Sequence, residues 1–216
     1  MKLFLLLLFQ FAWTAAVLAT DQEGYILNNN GDTVKGTIDV EFGRVGFGKK
    51  TLDLTQMEQV IDFKEPEGKY KKYKAGDISG YGFSFDDGWY HFVVLDWPKN
   101  PWKKSRGAFE RRVDNLRLFI QRANDGAVTI YKDHYHAAGG MSPRSGPVVV
   151  DLYIRTNDLG FVEVAPANKG DKKELKEFLM KYLNLEEEFL KTVDERAKFS
   201  QAEEIIKMYN EWKKKN

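Results

Sequence analysis

The sequence predicts an α+β protein: a mainly antiparallel β-sheet, curled as a sandwich or open barrel of successive hairpins, followed by a C-terminal tail of two to three helices packed on it. Three observations predict it. The dipeptides Asn30-Gly31, Asp87-Gly88 and Asp125-Gly126 each separate two runs rich in β-branched and aromatic residues, the pattern of tight hairpins. The spacing of apolar residues changes from two to three or four near Asn168. With 43% hydrophobic and 14% aromatic residues and no cysteine, the 216-residue chain has the material for a packed core and none for a disulfide framework.

At the N-terminus, Lys2, the apolar run Leu3 to Leu8 and the small-x-small site Val17-Leu18-Ala19 predict a signal peptide over residues 1–19, removed on export. The competing reading is an N-terminal anchor, because residues 3–19 approach the roughly 20 apolar residues of a bilayer span. Gln10 and the alanine-rich end of the run favour the signal. The chain holds 33 basic and 32 acidic side chains, and losing residues 1–19 removes Lys2 and no acid, so the charges of the remainder balance. A neutral chain has no general attraction for nucleic acid or anionic lipid. No cysteine follows the signal to carry a lipid, and no later apolar run is long enough to span a membrane, so the expected product is soluble and either periplasmic or extracellular.

Residues 20–168 read as the β domain. Tyr25-Ile26-Leu27 leads through Asn30-Gly31 into VKGTIDVEF, where Val34, Gly36, Ile38, Val40 and Phe42 alternate with Lys35, Thr37, Asp39 and Glu41. Tyr81, Phe83 and Phe85 mark an aromatic strand before WYHFVVLDW; NLRLFIQR and AVTIYKDHYH flank Asp125-Gly126; VVVDLYIR and FVEV flank Asn157 to Gly160. Residues 169–216 read as helical. Asp171 with Glu174 predicts a capping box ahead of the stripe Leu175, Phe178, Leu179, Tyr182 and Leu183. Leu185, Phe189, Leu190 and Val193 predict a short second helix, and Ser200 to Glu203 opens a third with Ala202, Ile205, Ile206, Tyr209 and Trp212 on one side. Such stripes pack on a sheet or on each other; the alternative is an arm that docks on a partner.

The segments GYILNNNGDTVKGTI, KAGDISGYGFSF, DGAVTIY and YIR, and a tail closing with IIKMYNEW, resemble a set of exported proteins of Bacteroidetes bacteria. Gly31-Asp32-Thr33-x-x-Gly36 and Tyr209-Asn210 are the most recognisable pieces. Those proteins often carry Asp-Cys-Pro between the tail helices, where this chain has Asn184-Leu185-Glu186. The resemblance implies an envelope location and implies no reaction.

Catalytic motifs are mostly excluded. Without cysteine there is no thiolate nucleophile, Cys-ligated zinc or iron-sulfur cluster. Gly82-Phe83-Ser84-Phe85-Asp86 lacks the second glycine of a nucleophile elbow, and Gly43 to Lys50 spells GxxxxGK but places Lys50 where a magnesium-binding hydroxyl belongs. No cofactor motif is present. His134 and His136, two apart in a strand, share a face as a metal pair would, but Asp133 points to the other face, and two exposed strand-end histidines are the better explanation. His91, among Trp89, Val93, Leu95 and Trp97, reads as a packed, hydrogen-bonded ring. Lys69, Lys71, Lys72 and Lys74 with Tyr70 and Tyr73 read as a charged edge strand in preference to a nucleic-acid platform.

The loop Asp96 to Lys104 is the remaining anomaly, with Trp97, Trp102 and Lys103 set among Pro98 and Pro101. Its indoles either form a ligand-binding surface with Lys103 or fold back to cap the sheet. Two functions remain open. The preferred one is a non-catalytic envelope module binding a partner protein or a saccharide. The other is a carboxylate-based hydrolase of envelope or extracellular saccharide, for which Asp86, Asp87 and Asp96 are the candidates.

Overall fold

The computed structural model describes residues 20–45, 49–86, 88–97, 116–136, 148–156, 160–164 and 174–216. The strands are β1 (Thr20–Leu27), β2 (Thr33–Val40), β3 (Phe42–Val45), β4 (Lys49–Leu52), β5 (Val60–Lys64), β6 (Lys71–Lys74), β7 (Gly80–Phe85), β8 (Gly88–Trp97), β9 (Leu116–Arg122), β10 (Ile130–His136), β11 (Val148–Thr156) and β12 (Gly160–Glu163). The helices are α1 (Glu174–Leu183), α2 (Glu187–Leu190) and α3 (Ala202–Lys215), the last preceded by a 3-10 turn at Phe199–Gln201. The α+β class, the hairpins and the helical tail are as the sequence predicts.

Ten strands form one open antiparallel sheet in the order β12-β11-β10-β9-β8-β7-β1-β2-β5-β6, and β3 pairs with β4 apart from it. Most neighbours are sequential hairpins. The exceptions are β2 beside β5 and β1 beside β7, and the latter joins a six-strand meander to the β1, β2, β5, β6 group. Lysine-rich β6 is an edge, where charge discourages pairing with a further strand. β3 pairs antiparallel with β4, so Lys49 and Lys50 open a strand and not the helix that follows a phosphate-binding loop.

Side chains alternate between the faces of the sheet. On the inner face, Ile26, Ile38, Ile61, Phe63, Tyr81, Phe83, Phe92 and Phe119 form one core with Leu54 and Met57. Tyr81 and Phe92 stack with centroids 4.5 Å apart and planes at 7°. Further along the same face, Ile130 and Ile154 meet the tail through Leu175, Phe178, Leu179, Phe189, Leu190, Ile205, Ile206 and Tyr209. Burial of side chains this size is worth roughly 1.5–3 kcal/mol each, so the tail is held as part of the fold. Lys132 of β10 also pairs with Glu203 of α3 at 2.9 Å. Asp171, the expected cap, lies outside the described residues.

The sheet forks between β9 and β10. Arg122 pairs with Tyr131 and Gln121 with Lys132, and there the ladder stops. Glu58, 5% exposed, enters the gap: its carbonyl accepts the N–H of Phe119 at 2.7 Å and its carboxylate accepts that of His134 at 2.8 Å. Both backbone donors would otherwise face an open seam, and a buried donor without a partner costs about 1–3 kcal/mol.

Candidate functional site

The outer face of β1, β7 and β8 carries three aromatic rings above a glycine. Tyr25 lies opposite Gly82, and Gly82 lies opposite His91. A Cβ at position 82 would stand 2.7–2.8 Å from the Tyr25 ring, so glycine is what lets the phenol lie down on the strand. The centroids of Tyr25 and Trp89 are 6.0 Å apart, those of Tyr25 and His91 6.1 Å, and those of Trp89 and His91 6.0 Å. These nearly equal separations make a triangle of rings, with Trp89 and His91 at an interplanar angle of 12°. Trp89 is 51% exposed, whereas Tyr25 and His91 are half-buried.

Tyr25 and His91 are fixed to each other by a 2.7 Å hydrogen bond between the phenol oxygen and Nδ1. Burial, then the nearby Arg122 guanidinium, lowers the basicity of His91; burial raises the pKa of Tyr25. Both groups are therefore neutral near pH 7, and a single proton bridges the phenol oxygen and Nδ1. Arg122 lies beyond His91 in the same cross-strand row, and its Nε meets Asp125 Oδ1 at 3.2 Å. Lys35 opposite Tyr25 and Glu23 beside it are exposed at the other margin. The arrangement offers a flat, partly dry surface with hydrogen-bonding groups along its rim, the form in which proteins present aromatic side chains to ligands.

A second outer row runs Asp21, Asp39, Asp62, Lys72 across β1, β2, β5 and β6. Lys72 pairs with Asp62 at 3.0 Å, and Asp21 accepts a hydrogen bond from the Tyr70 hydroxyl. Burial and the flanking Asp21 and Asp62 raise the pKa of Asp39.

The residues singled out from sequence are dispersed. Trp97 ends β8 with Leu116 as its backbone partner, while Trp102 and Lys103 lie outside the described residues. His136 ends β10 opposite Val148. His134 is not an exposed strand-end ring: it is 8% exposed, and its Nε2–H donates to Gln121 Oε1 at 2.7 Å. Burial and Lys132 lower its pKa to about 4, so it stays neutral. Among the described residues no group of three or more His, Asp or Glu is arranged to hold a metal. Asp86 and Asp96 are exposed at opposite ends of β8, roughly 30 Å apart at the rise of an antiparallel strand, and Asp96 pairs with Arg117 at 3.4 Å; Asp87 lies outside the described residues.

Sequence reasoning placed Trp89 and His91 on one face but missed Tyr25. The hairpin turn fixes the register of Gly82 with His91, whereas the register of Tyr25 with Gly82 comes from a junction that no turn encodes. No known protein family, curated protein or solved structure matches the chain.

Proposed function

We propose that this is a non-catalytic exported protein of the cell envelope that binds a saccharide through the Tyr25, Trp89 and His91 platform. The observation that carries the reading is the half-exposed indole of Trp89, held beside two neutral rings on a rigid sheet where a glycine clears the floor. Aromatic rings stack on the C–H faces of sugars, and rings fixed in advance lose little entropy on binding. The residues over 1–19 and the resemblance to exported envelope proteins support the location. Asp86 and Asp96, at the two ends of one strand, cannot flank a single glycosidic bond, which supports binding over hydrolysis.

The test is retention of the purified protein on insoluble envelope polysaccharide, with Trp89→Ala beside it. Wild-type retention that the variant loses, at an unchanged melting temperature, supports the proposal. Equal retention of both proteins refutes the platform. Release of reducing ends during the incubation refutes the non-catalytic part.

A further inference from the structure

The neighbour of His91 in the cross-strand row sets the ligand class at this platform. Tyr25, Gly82, His91 and Arg122 are successive partners on β1, β7, β8 and β9. The Arg122 backbone therefore lies one strand spacing, ~4.8 Å, beyond that of His91 on the same face, and its guanidinium is near enough to act on the charge of both His91 and Tyr25. It does not stand alone. Asp125, in the β9–β10 turn, holds its Nε at 3.2 Å, with the two side chains 37% and 73% exposed.

An arginine and a carboxylate side by side present N–H donors next to an acceptor oxygen. Two hydroxyls on neighbouring ring carbons match this pair: one accepts from the guanidinium and the other donates to the carboxylate. A ligand carboxylate or sulfate would gain from Arg122 and be repelled by Asp125. The opposite margin has the same balance, with Lys35 and Glu23 both exposed. The rim thus carries two positive and two negative side chains and offers no net charge to an acidic glycan.

We infer that the platform takes an uncharged pyranose of a glycan chain, its C–H face on Trp89 and two vicinal hydroxyls on the Arg122–Asp125 pair. The inference rests on the saccharide-binding reading and narrows it. It is tested by calorimetric titration of the purified protein with cellohexaose, mannohexaose and hexagalacturonate, two neutral chains and one acidic chain of equal length. The expected result is binding of at least one neutral hexaose, weakened tenfold or more by Arg122→Met and by Asp125→Asn, with melting curves confirming that both variants fold. If either variant is destabilised, displacement of the neutral hexaose from wild type by hexagalacturonate is the deciding measurement, and tighter acidic binding overturns the ligand class. Tighter binding of hexagalacturonate, lost in Trp89→Ala, would overturn the uncharged class while leaving the platform standing. Binding of a neutral hexaose that is lost in Trp89→Ala but unaffected in folded Arg122→Met and Asp125→Asn would overturn the diol contact. Binding indifferent to Trp89→Ala, or no binding of any chain, would overturn the platform and the inference together.

Discussion

Asn210 and Val128, 82 residues apart, exchange two hydrogen bonds: the Val128 N–H donates to Asn210 Oδ1 at 2.9 Å, and Asn210 Nδ2 donates to the Val128 carbonyl at 2.8 Å. A side-chain amide on α3 thereby acts as a strand partner for the loop between β9 and β10. Asn210 is 3% exposed, and a Cβ on Gly126 of that loop would collide with its amide. The same loop carries Asp125, so the tail helix secures the turn that holds one half of the Arg122–Asp125 pair.

Asn210→Ala should therefore destabilise the protein by about 2–4 kcal/mol, because it strands a buried donor and a buried acceptor. At this chain length the melting temperature should fall on the order of 10 °C. Gly126→Ala should produce a comparable fall. A double-mutant cycle should show the two losses to be far from additive, since both break one contact.

His134 makes stability fall in mild acid. Its ring is neutral in the fold with a pKa of about 4, against 6.5 for the free side chain. The stabilisation from keeping it neutral is complete above pH 6.5 and is lost as the pH drops towards 4, when the unfolded chain takes up a proton that the folded chain refuses. The full loss is on the order of 3 kcal/mol. Chemical denaturation at a series of pH values should show this slope, and His134→Gln should flatten it.

Asp39→Asn should stabilise the protein near neutral pH. Asp39 faces Asp21 on one side and Asp62 on the other, and its raised pKa reports a carboxylate that the fold penalises when ionised. Relief of one such opposition is worth about 0.2–1 kcal/mol. The gain should be present at pH 7 and disappear as the pH falls below the ordinary carboxylate value of 3.8, where wild-type Asp39 is protonated in both states. A melting temperature unchanged at pH 7 would show that the opposed carboxylates do not strain the sheet.

Gly82→Ala should cost little stability and abolish saccharide retention. The added methyl meets the outer part of the Tyr25 ring, which can swing away into solvent. That movement breaks the hydrogen bond to His91. The His91 ring signals in an NMR titration should then move towards those of an ordinary exposed histidine.

Much of the fold was legible because its signals are local. The turns at Asn30-Gly31 and Asp125-Gly126, the alternation in VKGTIDVEF and the tail stripes each declare themselves within about ten residues; the strands and helices form there, although VKGTIDVEF is cut at Glu41 with Phe42 opening β3, and Asp125-Gly126 lies in a longer loop from Arg122 to Ile130. Distant pairings were hidden. Tyr209-Asn210 reads as ordinary helix, yet Asn210 is a tertiary clamp and the Tyr209 hydroxyl donates to Glu186 at 2.5 Å. Glu58 sits in a plain polar stretch, and nothing in its neighbours announces that its carboxylate fills a fork between β9 and β10. The motifs that looked like isolated turns also meet in space: Asn29, beside Gly31-Asp32, donates to the carbonyls of Gly76 and Asp77 in KAGDIS.

The junction of β1 with β7 bears on how the molecule assembles. Six strands from β7 to β12 pair with their neighbours in sequence, whereas Tyr25 must find Gly82, which lies beyond β2 to β6 in the chain. Closure entropy makes such a contact late on the folding route. The ring platform spans that seam, with Tyr25 contributed by one half and Trp89 and His91 by the other. It exists only once the two halves have zipped together, and a sugar resting on it would act as a clasp, slowing their separation.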